Sequence, residues 1–159
     1  MNNNKKCGTC NSCCYVFPIK NTTLADGSPF PDKEGYELCS FYKLGKCSVY
    51  DNRPAICRSY KCGWMASTDR DMPNNTRPDK AGFILSTLTY SNDSIAGFLL
   101  YEVKHGRMER AKKKLKSLLK LWKDSGLNVG VIRHKKNVIE YISGDRSLFD
   151  NSNILIKSS

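Results

Sequence analysis

The 159-residue chain is 40% hydrophobic and carries a formal charge of +11, which is the length of one ordinary domain with room for a core of its own. No run approaches the roughly 18 consecutive apolar residues of a membrane span, so a membrane partner is not expected. Met1 to Cys7 is weakly basic with no apolar stretch behind it, unlike a secretory signal, which points to the cytoplasm and to reduced thiols.

Residues 1–80 read as an irregular, cysteine-rich, metal-binding module. Gly8, Pro18, Gly27, Pro29, Pro31, Gly35 and Gly45 punctuate it, and Tyr15-Val16-Phe17 is its best candidate for a short strand. Residues 63–80 read as a polar connector, a surface loop or lid. Residues 81–159 are regular. Phe83–Tyr90 and Ile95–Val103 have the composition of strands joined by the hairpin loop Ser91-Asn92-Asp93-Ser94. Met108, Ala111, Leu115, Leu118, Leu119 and Trp122 recur at steps of three and four, which puts them on one face of a helix from Arg107 to about Lys123, with Gly126 as its stop. Val129–Arg133 and Val138–Ile142 are two further strands, linked by His134-Lys135-Lys136-Asn137. The predicted fold class is α+β: the cysteine-rich module packed with a small antiparallel β-β-α-β-β sheet and one covering, basic, amphipathic helix.

All eight cysteines fall within residues 7–62. A disulfide framework staples the whole of a small secreted fold, whereas a ligand set is local, so the clustering favours metal over disulfides. Cys7-Gly8-Thr9-Cys10-Asn11-Ser12-Cys13-Cys14 opens with two-residue gaps that let one metal take two thiolates from a tight turn. Cys13 and Cys14 are adjacent, so their side chains diverge and more naturally serve two centres than one ion. Cys39, Cys47, Cys57 and Cys62 follow at steps of eight, ten and five. The candidate ligands are all eight: two zinc ions at four thiolates each would use every one, and a single four-iron cluster would use four. Eight thiolates with two divalent ions would lower the formal charge from +11 to +7.

Cys7-x2-Cys10-x2-Cys13-Cys14, then Cys39, then Gly45-Lys46-Cys47-Ser48-Val49-Tyr50-Asp51-Asn52-Arg53-Pro54-Ala55-Ile56-Cys57-Arg58, resembles the CxxCxxCC cysteine-cluster family, the YkgJ-like zinc- or iron-chelating domain. The resemblance covers residues 7–62 and extends to Arg77-Pro78-Asp79-Lys80-Ala81-Gly82. It implies metal chelation with an otherwise undefined biochemical role; some relatives are labelled iron–sulfur oxidoreductases, and the cluster also accompanies flagellin lysine methylases. The family's proline soon after the Cys-Arg pair is replaced here by Ser59-Tyr60-Lys61-Cys62.

Arg53 and Arg58 could neutralise a four-thiolate zinc centre, which carries a net charge of about −2. Tyr50 reads as a small-core aromatic, and Asp79 as a turn cap before a strand. His105 and His134 stand beside lysines, far in sequence from the thiols, and are not expected to be ligands. Residues 104–123 hold nine Lys or Arg against Glu109 alone; this reads as the wet face of the helix, with nucleic-acid contact the weaker reading. Three functions follow: a metal-chelating protein holding zinc or an iron–sulfur centre; an iron–sulfur oxidoreductase or modification enzyme; and a zinc-stabilised nucleic-acid adaptor. No glycine-rich cofactor loop supports the second, and the chain is not expected to be an enzyme.

Overall fold

A computed structural model describes residues 5–89, 94–135 and 139–144. The expected loop at Ser91–Asp93 and the Lys136–Asn137 part of the later turn lie outside the described residues. The first half holds only short elements. Helix α1 (Ser12–Val16) is followed by the two-residue strands β1 (Tyr42–Lys43) and β2 (Lys46–Cys47), and by helices α2 (Ala55–Ser59) and α3 (Gly63–Ala66). Leu44 and Gly45 both have positive φ between β1 and β2, the backbone of the tight turn that matches strand twist in a hairpin. Tyr15-Val16-Phe17 is therefore not a strand: Tyr15 and Val16 close α1, and Phe17 caps it. The isolated bridges Ile19–Lys33 and Thr23–Pro29 hold the loop between α1 and β1.

The connector is also more ordered than its composition indicates. It contains α3, a 3-10 turn at Asn74–Thr76 and helix α4 (Pro78–Ala81), and it buries Trp64, Met72 and Ala81. Pro78 starts α4, and Gly82 ends it with φ 82°, the usual distribution of these two residues at helix ends. Trp64 and Met72 lie too far apart to make a periodic pattern, so their burial is invisible to a reading by spacing.

Strands β3 (Phe83–Thr89), β4 (Ile95–Glu102), β5 (Asn128–Ile132) and β6 (Ile139–Ser143) form one sheet in sequence order. Each lies within one or two residues of its expected position. The sheet is mixed, and this corrects the antiparallel expectation: β3–β4 and β5–β6 are antiparallel, but β4–β5 is parallel. Parallel neighbours need a long crossover to bring the chain back to the starting edge, and the helical segment between β4 and β5 supplies it. That segment is two helices, α5 (Met108–Lys114) and α6 (Lys116–Asp124), broken at Leu115, where φ is −95° and ψ 10°. Met108, Ala111 and Leu115 are buried as the periodicity indicates, and Trp122 stacks on Phe98 with ring centroids 4.2 Å apart. Gly126, with φ 71°, ends α6 as expected. Among the described residues no helix is long and apolar enough to cross a membrane.

The main core runs across both halves of the chain. Phe83, Ile84, Leu100, Val129 and Val131 pack in one cluster with Val16, Cys62, Trp64 and Met72. A second, smaller cluster of Ile19, Phe30 and Cys39 belongs to the first half alone. Lys5 pins the start of the chain to the connector, donating to the carbonyls of Ser67, Thr68 and Met72 at 2.7–3.0 Å. On the other side, Tyr15 meets His134 through its hydroxyl at 3.1 Å, and the buried Glu102 accepts the backbone N–H groups of Met108 and His134.

The tightest junction between the halves is Gly63 against β3. A Cβ at Gly63 would stand 2.6 Å from Leu85 Cδ2, and Leu85 is itself buried. Gly63→Ala should therefore lower the urea midpoint of unfolding by the equivalent of about 1–3 kcal/mol, the range for overpacking a filled core. An unchanged midpoint would show that α3 does not need this close approach.

Candidate metal centre

All eight cysteines line one cavity of about 360 Å³, and none is in a disulfide. Five segments deliver them. Cys7 and Cys10 flank a turn in which Cys10 N–H donates to Cys7 O at 2.9 Å and Gly8 has φ 54°. Cys13 and Cys14 sit on α1; Cys39 and Cys47 flank the β1–β2 hairpin; Cys57 is on α2, which starts after Pro54; Cys62 immediately precedes α3. Among the described residues no histidine, aspartate or glutamate lines the cavity. Among the described residues no three Cys, His, Asp or Glu side chains already stand in the arrangement of a formed metal centre.

Part of the space is far smaller. Cys7, Cys10, Cys13 and Cys62 surround a void of about 20 Å³, closed on its other sides by apolar groups that include Trp64 and Met65. That is close to the smallest space that holds a single water molecule, roughly 10–15 Å³. Cys14, Cys39, Cys47 and Cys57 do not touch it. Met65 places its sulfur 3.0 Å from Cys7 Sγ.

Burial pushes the thiols of Cys7 and Cys57 up to about 11, because a thiolate loses hydration there, and neighbouring thiols push the same way. Burial also raises Cys39 and Cys62. Cys13 and Cys14 depart from this pattern as a pair. A hydrogen bond from the Cys13 thiol holds Cys13 well above the ordinary thiol value and brings Cys14 down to about 7, with Lys33 and Arg53 adding to the fall. The two neighbouring side chains pack in different places, Cys13 against the main core and Cys14 against the smaller one.

The companions of the thiols differ in part from expectation. Arg53 acts on Cys7, Cys14 and Cys57; its Nε donates to Tyr50 O at 2.6 Å and its guanidinium lies 3.6 Å from the Tyr50 ring centroid. Tyr50 is 54% exposed, so it is a platform for Arg53 and not a core residue. Arg58 lines the cavity at the end of α2. Asp79 stands in the first turn of α4 and is gripped by Arg77 through two bonds of 2.7 Å. Burial alone would raise the Asp79 carboxyl, but Arg77 outweighs it and the net direction is down. Arg77 in turn approaches Gly8 and acts on Cys10 and Cys7, so Asp79 reaches the cysteines only through Arg77.

Lys33 is the residue that sequence reasoning missed. It lies between Pro31 and Gly35 in the irregular module, yet Lys33 is 8% exposed, and its Nζ donates to Phe17 O at 2.6 Å and Glu34 O at 2.8 Å. No local signal marks it, because the burial comes from Ile19 pairing with Lys33 across the loop. His105 and His134 do not line the cavity. On the basic helices, Lys112 pairs with Glu109, Lys120 with Asp124, and Lys114 donates to Asn75 O.

Comparisons of the chain with family models, with curated proteins and with solved structures found no match.

The bond from Cys13 lowers the Cys14 thiol while burial raises that of Cys57, so at pH 7 more of Cys14 than of Cys57 is thiolate, and the thiolate is the nucleophile. In the metal-free, reduced protein, iodoacetamide at pH 7 should modify Cys14 at least about ten-fold faster than Cys7 or Cys57. Peptide mapping of a time course reads the order. Faster labelling of Cys7 would mean that the Cys13–Cys14 hydrogen bond and Lys33 do not act as described.

Proposed function

We propose that this protein chelates a thiophilic metal, zinc in the first place, through the thiolates of Cys7, Cys10, Cys13, Cys14, Cys39, Cys47, Cys57 and Cys62, as the CxxCxxCC family it resembles implies. The observation that carries the reading is the convergence of eight free thiols, from five separate segments, on one cavity lined, among the described residues, by no carboxylate or imidazole. An all-sulfur donor set selects soft or borderline ions such as zinc, or an iron–sulfur cluster. The void among Cys7, Cys10, Cys13 and Cys62 is ion-sized, which favours single zinc ions. The larger cavity has room for a cluster, and an iron–sulfur centre is the second reading. Zinc held by four thiolates has no open position for a substrate, so the role is structural or one of metal handling, and no catalytic residue is assigned. Reduced thiols suit the cytoplasm, which we take as the protein's location.

Coordination also has an energetic part to play. Structural zinc contributes on the order of 10 kcal/mol, as large as the whole stability of an ordinary domain. The loops around Ile19, Phe30 and Cys39 have only a small apolar cluster of their own; Cys62 and Trp64 already share the core of the sheet.

Protein purified without oxygen should be colourless and hold zinc; a brown protein with iron and sulfide would establish the second reading, and a metal-free protein would remove both. Chelation of the metal should speed amide exchange most in residues 19–57, while Trp64 and strands β3–β5 stay protected. Unchanged exchange in residues 19–57 would mean that metal does not order them.

A further inference from the structure

We infer that the eight cysteines form two separate four-thiolate zinc centres, Cys7, Cys10, Cys13 and Cys62 in one and Cys14, Cys39, Cys47 and Cys57 in the other, with Lys33 as the buried counter-ion of the second. The inference rests on the metal-chelating reading above and adds to it the division of the ligands and the source of the compensating charge.

Two independent features draw the same line through the cysteines. The first is space: the ion-sized void touches Cys7, Cys10, Cys13 and Cys62 and none of the other four. The second is packing. Cys13 and Cys62 belong to the core shared with the sheet, whereas Cys14, Cys39 and Cys57 belong to the small cluster with Ile19 and Phe30. The two centres therefore abut at the Cys13–Cys14 pair, one ligand going to each side. A run of cysteines whose last member crosses to a second centre is the arrangement of two-cluster ferredoxins, in which the first three cysteines are likewise two residues apart.

Each set has beside it a buried donor that lacks an anion. Trp64 is 3% exposed, lines the void, and its indole N–H has no acceptor among the described residues. Lys33 is buried with carbonyls for acceptors and no carboxylate within ion-pair distance among the described residues; Glu37 acts on it only at longer range. An ammonium in that position is costly unless a counter-charge is near. Lys33 pairs across its loop with Ile19, which packs in the cluster that holds Cys14, Cys39 and Cys57, and its Nζ stands 3.4 Å from the carbonyl of Tyr15, the residue after Cys14. Zinc with four thiolates carries about −2, which gives Lys33 its partner and gives the centre the cation that such sites use to tune their sulfurs.

The experiment is zinc reconstitution of the full reduced chain, with metal counted per chain and X-ray absorption read at the zinc edge. Wild type should hold two zinc ions, each in an all-sulfur shell of four, with no short zinc–zinc scattering. Cys39→Ser/Cys47→Ser, a pair within one set, should keep one zinc; Cys10→Ser/Cys47→Ser, a pair across the sets, should keep none. Lys33→Met should weaken one of the two zinc sites about ten-fold or more and leave the other unchanged. A chain that binds no zinc and no iron refutes the metal-chelating reading itself. A chain that binds one metal, or a sulfur-bridged zinc pair, leaves that reading standing and overturns the division. Loss of both ions in the within-set variant overturns it as well, and equal weakening of both sites by Lys33→Met removes Lys33 from the second centre. The stoichiometry and the absorption spectrum come from wild type, so they decide between one centre and two even where a variant fails to fold.

Discussion

The first half of this protein cannot bury a core of its own, and its attachment to the sheet is the constraint on which the cysteine cavity depends. Its largest private cluster is Ile19, Phe30 and Cys39. Its other buried apolar residues, Val16, Cys62, Trp64 and Met72 among them, pack with the sheet residues. Gly63 makes the junction possible, since α3 lies against Leu85 with no space for a side chain. Cys62 is thereby fixed on the sheet side of the cavity, Cys13 is placed beside it by α1, and the remaining thiols are brought in by loops that only coordination or a few bridges can order.

That arrangement carries an electrostatic conflict. Packing thiols in a partly dry cavity raises most of them, because each thiolate loses water and meets other thiolates. Lys33 is buried opposite Ile19, which packs with Cys14, Cys39 and Cys57, and Arg53, held on the Tyr50 ring, lines the cavity itself. Cations at a cluster of thiols make sense when the thiols are ionised together, which is the state that a metal imposes. The Arg77–Asp79 pair adds a third positive group near Cys7 and Cys10, held in place by its own carboxylate.

Strand positions in the second half were legible because strand and helix periods are local properties, and Phe83–Thr89, Ile95–Glu102 and the Met108, Ala111 and Leu115 face all lie where alternation and three-to-four spacing put them. The direction of the β4–β5 pair was not, since it depends on where the crossover helices return the chain and no residue in either strand encodes it. Tyr15-Val16-Phe17 failed for a related reason: three apolar residues cannot distinguish one helical turn from a strand. Trp64 and Met72 looked like parts of a polar connector because their partners are on β3 and β4, tens of residues away.

For the candidate site, the sequence by itself determined which side chains are on offer. Eight cysteines in residues 7–62, the two-residue gaps and the adjacent Cys13 and Cys14 are composition and spacing, and they need no fold to be read. The tertiary structure decided which thiols share a space, because Cys62 joins Cys7, Cys10 and Cys13 from the far end of the cysteine segment. It also decided that Lys33 is buried, that Tyr50 is exposed, and that Asp79 acts through Arg77. Spacing along a chain limits only which ligands can be close; burial and charge depend on what the rest of the chain packs around them.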